Sequence, residues 1–256
     1  MKEPVFRGVG VALVTLFRDD GCLDAPATAD HAARLVELGV RAVIVAGTAG
    51  EAAALDPEER GELLAAVRKA VPVGGGVPVV AGTGAPSARQ ASRLTAAARD
   101  SGADAILALS PPGTTDSRRY YETVTSAAGG LPVLAYHYPQ ACPPGIPVET
   151  LIGLDVAGLK DSSGDAGRLL ATRQAWDRPL YSGSSALLTL AGSIGCAGVI
   201  LALSNAEPEV CIAAFAGDVA AQLDVAKHRS AEARYPAGVK ELVAARFGCS
   251  TVTRLG

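Results

Sequence analysis

Three places in the chain hold residue types that can do covalent or proton-transfer chemistry. Lys160 closes an apolar run, Val156-Ala157-Gly158-Leu159, and Tyr136 closes another, Val133-Leu134-Ala135. A third apolar run, residues 42–46, leads into Gly47-Thr48-Ala49-Gly50-Glu51. A lysine amine drawn into a low-dielectric pocket loses hydration, its pKa falls, and its lone pair is freed to attack a carbonyl carbon. A phenol beside it can move protons to and from the carbinolamine oxygen. A turn with two glycines can aim backbone N–H groups at a small carboxylate. Each position also has a plainer reading. Lys160 could be ion-paired with Asp161 or Glu51. Tyr136 could fill the core with its hydroxyl on backbone. Glycine-rich turns are common, and Glu51 could be a rim carboxylate that holds the 47–51 turn.

Such residues need a scaffold that puts strand ends together. Eight apolar runs, at residues 9–17, 42–46, 77–81, 105–109, 133–136, 156–160, 180–182 and 198–203, alternate with helical patterns. Most are continuously apolar, as parallel strands covered on both faces must be. Asp56-Pro57-Glu58-Glu59 gives one helix a cap, a first-turn proline and two acids. Thr28, Ser87 and Ser117 are further candidate caps, and Gly39 and Gly102 candidate helix ends. Eight βα units in this order predict a (β/α)8 TIM barrel over residues 1–217, with a short C-terminal helical appendix over 218–256. Within it, 207–217 reads as the last barrel helix, and 219–233 and 238–247 as two extra helices. The open doubly wound sheet is the alternative, but no G-x-G-x-x-G follows the first strand. In a barrel, chemistry gathers at the C-terminal strand ends, where Lys160, Tyr136 and the 47–51 turn all fall. Of five lysines against 18 arginines, Lys160 alone ends an apolar strand; Lys69, Lys227 and Lys240 read as positions in polar-patterned helices.

Composition narrows the partners. Lys and Arg total 23 against 26 Asp and Glu, for a net charge of −3, and no basic run supplies a nucleic-acid footprint. No apolar run reaches membrane-spanning length, and the first residues lack a signal-peptide core. The five cysteines are scattered, which suits small buried hydrophobes in a reducing, cytoplasmic setting. His31, His137 and His228 lie far apart, so neither a metal nor another cofactor is expected.

Taken together, Gly47-Thr48-Ala49-Gly50-Glu51, Ala81-Gly82-Thr83-Gly84, Tyr136-His137-Tyr138-Pro139, Gly158-Leu159-Lys160-Asp161 and Gly198-Val199-Ile200 resemble the dihydrodipicolinate synthase / N-acetylneuraminate lyase family. The match in order and spacing runs from about Val5 to Leu255. The resemblance implies a Schiff-base lyase or aldolase acting on pyruvate or a related 2-oxo acid. Lys160 is then the Schiff-base lysine, Tyr136 the proton-transferring phenol, and Thr48 a proton relay. The Thr48 and Ala49 N–H groups bind the carboxylate, and Ile200 lines the site. It further implies a homodimer or homotetramer.

Three departures qualify the transfer. Ala49 stands where the family usually has a second hydroxyl residue. Ser110-Pro111-Pro112-Gly113-Thr114 holds no phenol where relatives often carry Pro-Tyr-Tyr, and Tyr120 or Tyr121 are weak substitutes in a helix. Pro139 through Gly145 lacks the arginine that would fork onto a second carboxylate. The last points away from aspartate semialdehyde and toward a neutral aldehyde or a sugar-acid tail near Gln140. Two other readings stay open: a pyruvate-binding protein that has lost turnover, and a phospho-sugar aldolase using Gly183-Ser184-Ser185 and residues 192–198 as phosphate loops.

Overall fold

In the computed structural model, which describes residues 3–255, eight parallel strands close into a barrel in chain order. They are β1 (Gly8–Ala12), β2 (Ala42–Val45), β3 (Val79–Gly82), β4 (Ala105–Leu109), β5 (Val133–His137), β6 (Gly158–Asp161), β7 (Leu180–Ser182) and β8 (Gly198–Leu201). The helices that follow them in turn are α1 (Ala25–Glu37), α2 (Pro57–Ala70), α3 (Ala88–Asp100), α4 (Arg118–Ala128), α5 (Val148–Ile152), α6 (Ala166–Ala175), α7 (Leu188–Ser193) and α8 (Pro208–Phe215). Three more complete the chain: α9 (Val219–Ala226), α10 (Arg229–Ala233) and α11 (Ala237–Phe247). The expected (β/α)8 barrel is the fold that forms.

Its strands are apolar on both sides because two separate cores meet on them. Ile44, Val80, Leu107, Leu134 and Ile200 point into the barrel, while Val9, Val11, Val43, Val45 and Val79 pack outward against the helices. Phe6 plugs the N-terminal end, stacked on Tyr181 with ring centroids 4.7 Å apart and joined by the Tyr181 hydroxyl donating to the Phe6 carbonyl at 3.0 Å. That seal leaves the opposite, C-terminal end as the open mouth.

Five expectations need correction. The first strand ends at Ala12 rather than Phe17. Residues 13–17 remain buried, but their backbone leaves the sheet for side-chain partners: the Val14 N–H donates to Asn205 Oδ1 and the Leu16 N–H to Thr28 Oγ1. Thr28 is therefore no cap; it lies inside α1, which Asp24 caps by accepting from the Ala27 N–H. Ser117 stands at the start of α4 without a capping side-chain bond, whereas Ser87 caps α3 as expected. The single helix expected over 219–233 is two, α9 and α10, interrupted at Lys227 and His228. Of the cysteines, Cys142, Cys196 and Cys211 are buried, but Cys22 is exposed.

Burial also leaves a titration signature. His31 sits in the core between α1 and α11, edge-on to Phe247 at 5.4 Å; burial, then the charge of Arg34, lowers its pKa from 6.5 to about 4. His137 is lowered to about 4 by burial and Arg168. Both rings fold neutral, so the unfolded chain binds more protons between these limits. Stability is full above pH 6.5 and falls as the pH drops toward 4, by about 3 kcal/mol per histidine at most. Urea unfolding at stepped pH should show this loss, and His31→Leu should make it shallower. An unchanged slope in that variant would remove His31 as the cause.

Candidate active site

Register brings the two reactive side chains together. Tyr136 on β5 is the lateral partner of Lys160 on β6, and side chains paired this way in a parallel sheet project from the same face. Both enter the barrel mouth, where the Lys160 ammonium lies 4.3 Å from the centroid of the Tyr136 ring. Lys160 is only 5% exposed. Space for it depends on Gly183 at the end of β7: a Cβ there would stand 3.0 Å from Lys160 Cε and 1.8 Å from Ser162 Oγ.

The acids that might have paired with Lys160 are occupied elsewhere. Asp161 accepts from Arg168 Nε at 2.9 Å, and Glu51 Oε1 stands 2.6 Å from Lys240 Nζ. Among the described residues no carboxylate lies within ion-pair distance of Lys160, and neither its amine nor the Tyr136 hydroxyl bonds to protein. The ion-pair explanation of Lys160 is thereby removed, and so is the reading of Tyr136 as a phenol satisfied by backbone.

The 47–51 turn forms the facing wall. Left-handed conformations at Ala46 (φ 51°) and Glu51 (φ 53°) bracket it, which is costly for residues with a Cβ and is held only by firm surroundings. Gly50 fits because a Cβ would meet the Leu13 carbonyl oxygen at 2.9 Å; its own carbonyl accepts from Thr15 Oγ1 at 2.6 Å. Inside the turn the Gly50 and Ala52 N–H groups donate to the Gly47 carbonyl, and the Glu51 N–H to that of Thr48. The Thr48 and Ala49 N–H groups have no acceptor among the described residues. Two adjacent unsatisfied donors in the wall of the mouth suit a small carboxylate.

The surroundings that hold this turn come from the C-terminal segment. Glu51 and Lys240 are fully buried. The same carboxylate accepts from the Arg254 and Leu255 N–H groups, each at 2.8 Å, while Lys240 also donates to the Val252 carbonyl at 2.6 Å. Burial lowers the Lys240 pKa, with the Glu51 charge opposing that shift. Lys240 is thus no polar-face lysine, as its helix suggested, and Glu51 does hold the turn. Tyr235, between α10 and α11, donates its hydroxyl to the Thr48 carbonyl. Nothing local in the sequence marked Tyr235.

Thr48, Tyr136 and Tyr235 open onto a cavity of about 910 Å³ that runs outward between α2 and α3. Arg60 also lines it, but its guanidinium is bonded to the carbonyls of Leu55, Gly82 and Ala52. Ala49 and Ile200 belong to the same barrel-interior cluster as Tyr136. Tyr121 does not reach the mouth: it donates to the Ala108 carbonyl at 3.0 Å and accepts from the Tyr136 N–H at 3.4 Å. Tyr120 accepts from the Ala85 N–H at 3.2 Å. Gln140 is exposed, its amide donating to the Ser163 carbonyl at 2.7 Å.

The candidate phosphate loops also resolve. Residues 192–197 precede β8 and so lie at the barrel's N-terminal end, away from the mouth. Gly192 and Gly198 serve close packing there, since a Cβ on either would strike the Phe215 or Gly8 carbonyl oxygen at 2.1 or 2.2 Å. At the mouth, Ser185 Oγ bonds to the Glu232 side chain at 2.5 Å, placing an acid where a phosphate would have to sit.

A parallel barrel with a buried lysine ending its sixth strand, a phenol on the fifth and a donor turn after the second defines the class. The chain belongs to the dihydrodipicolinate synthetase family, whose model matches residues 5–233. It is 38% identical over 216 residues to an uncharacterized DapA-like lyase of Halobacterium salinarum, covering 80% of this chain and 70% of that one. It is 33% identical over 249 residues to the 4-hydroxy-tetrahydrodipicolinate synthase of Natronomonas pharaonis, covering 93% and 82%. YagE, a prophage protein of this family from E. coli K12 solved in complex with pyruvate, superposes with a TM-score of 0.88 at 26% identity, over 98% of this chain and 92% of that one. The Ruminococcus gnavus sialic acid aldolase shares the fold at 20% identity, with a TM-score of 0.88 over 97% and 90%. The chain is therefore an enzyme of a lyase and aldolase family.

The buried pair gives a direct test. Lys240→Met leaves Glu51 charged and without its cation, and should lower the unfolding free energy by about 3–5 kcal/mol, read by urea denaturation. Combining it with Glu51→Gln should recover part of the loss. A single variant within about 1 kcal/mol of the parent would show that the pair does not anchor the turn.

Proposed function

We propose that the enzyme forms a Schiff base between Lys160 and pyruvate or a closely related 2-oxo acid, and joins or cleaves the bond between C3 and an aldehyde carbon. The observation that carries this reading is the lysine itself: buried, without an anionic partner among the described residues, against the Tyr136 ring, and across from the free Thr48 and Ala49 N–H groups.

The steps follow from those groups. The carboxylate docks on the two N–H groups, which brings C2 to the amine. Lys160 Nζ adds to C2, and the proton it sheds is passed to the new C2 oxygen by Tyr136, with the Thr48 hydroxyl as relay. A second proton delivered by the phenol lets that oxygen leave as water, giving the iminium. The phenolate this leaves on Tyr136 takes a C3 proton, which makes the enamine; the enamine adds to an aldehyde carbon, and the phenol returns that proton to the aldehyde oxygen. Water then returns to C2 and frees the amine. Run backward, the sequence is retro-aldol cleavage. Ile200 provides an apolar wall that keeps water from the iminium.

The second reactant on this reading is a neutral or hydroxylated aldehyde. The cavity beyond Tyr136 is large; of the two guanidiniums that line it, Arg60 is already bonded to three carbonyls and Arg93 stands exposed on α3. Assembly as a homodimer or homotetramer belongs to the same proposal, in keeping with the exposed apolar Val219 and Leu223 one turn apart on α9.

Borohydride reduction in the presence of pyruvate, followed by peptide mass mapping, tests the covalent step. An adduct on the peptide holding Lys160, absent in Lys160→Ala, is expected; no adduct in the parent protein would end this reading. Tyr136→Phe should keep the adduct and lower kcat by roughly 10²–10⁴-fold, measured on a panel of neutral and carboxylated aldehydes. An adduct with no turnover on any aldehyde would favour a pyruvate-binding protein instead.

A further inference from the structure

We propose that Tyr235, carried by the C-terminal helices, is a positioning residue for the 2-oxo acid: its hydroxyl holds the Thr48 carbonyl and thereby sets the carboxylate-binding N–H of Ala49. The proposal rests on the Schiff-base reading above and adds to it a residue from outside the eight βα units.

The link is one peptide group. The Tyr235 hydroxyl donates to the Thr48 carbonyl oxygen, and that carbonyl shares its plane with the Ala49 N–H. Peptide planarity means that fixing the oxygen fixes the direction of the N–H on the other side. A hydrogen bond accepted by the carbonyl also polarises the peptide and makes its N–H a stronger donor. The Ala49 N–H has no acceptor among the described residues, so this gain is available to a ligand. It matters more here because Ala49 offers no hydroxyl: the grip on a carboxylate comes from backbone donors alone.

Tyr235 is held firmly enough to do this. Its elbow between α10 and α11 depends on Gly238, where a Cβ would meet the Ala231 carbonyl oxygen at 2.1 Å. The neighbouring Arg234 forms a bidentate pair with Glu241 at 3.0 and 2.7 Å. The Arg234–Glu241 pair ties the elbow to α11, and α11 is fixed in turn by the buried Lys240–Glu51 pair. Burial, then the nearby Glu51 charge, raises the Tyr235 pKa, which keeps the hydroxyl a donor throughout the neutral range. The phenol also lines the cavity alongside Thr48 and Tyr136, so the contact lies in the wall of the site.

Tyr235→Phe removes the hydroxyl and little else. The expected result is a roughly tenfold rise in the pyruvate concentration that half-saturates both turnover and borohydride trapping at Lys160. At saturating pyruvate kcat should change less than about twofold, with an unchanged melting temperature. Methyl pyruvate, which lacks the carboxylate charge, separates positioning from a general structural role: its half-saturation in trapping should be the same in parent and variant. Equal loss for pyruvate and methyl pyruvate, or a lowered melting temperature, would assign Tyr235 to structure and overturn the proposal. So would a fall in kcat with a shifted pH profile and unchanged half-saturation, which would make the phenol a proton carrier. If the parent protein forms no adduct, the Schiff-base reading fails first; an adduct whose half-saturation ignores the substitution removes this proposal alone.

Discussion

The geometry of the mouth depends on one buried ion pair, Glu51 with Lys240, which joins residues 189 positions apart at zero exposure. Two charges taken out of water cost several kcal/mol each, and their attraction repays this only when the remaining lone pairs and protons are also satisfied. Here most of them are: Glu51 Oε2 takes two backbone N–H groups from Arg254 and Leu255, leaving Oε1 to the ammonium alone, and the ammonium gives one bond to the Val252 carbonyl and rests over the Phe17 ring at 4.4 Å. An apolar pair of equal volume could pack as tightly, but it would not dictate which residue meets which. The pair therefore acts as a register pin, fixing where the C-terminal segment lies against the turn after β2.

That pin has a chemical consequence on the far side of the mouth. A barrel rim holding two acids and two lysines could sort its charges in several ways, and a Lys160 paired with Glu51 would be a poor nucleophile. With Lys240 on Glu51 and Arg168 on Asp161, the stronger claims on both carboxylates are already met. Lys160 is left against the quadrupole of the Tyr136 ring, a far weaker hold than a carboxylate. The Lys160 amine is thus kept clear of carboxylates by bonds in which it takes no part.

This explains what could be read in advance. The barrel was legible because parallel strands buried on both faces write apolar runs, and nothing competes with that signal in residues 42–45 or 105–109. The strand-end position of Lys160 was legible for the same reason. The end of β1 was not, since residues 13–17 stay apolar and buried after they leave the sheet for Asn205 and Thr28. Lys240 was misread because a buried lysine and an exposed one look alike in a helix; only its partner distinguishes them, and Glu51 is remote in sequence. Tyr235 escaped notice because its link to Thr48 spans 187 residues and follows no short-range pattern. Val239 and Val243, which flank Lys240 and are buried with it, were the one sequence hint that this face of α11 points inward.

The two halves of the mouth therefore have different origins. The amine and phenol are placed by adjacent strands, whose lateral register admits little adjustment once both barrel faces are packed. The donor turn is placed by a strained backbone that the C-terminal segment braces from outside. A rigid half suits the covalent step, where Lys160 and Tyr136 must keep their distance through every intermediate. A braced half suits recognition, because changes in the brace can tune the turn without disturbing the strands. On the proposed reading, the missing hydroxyl at Ala49 falls in the recognition half, and so do Tyr235, Lys240 and Arg254. On that reading the covalent step belongs to the barrel strands, and the grip on the carboxylate is braced by the segment that follows them.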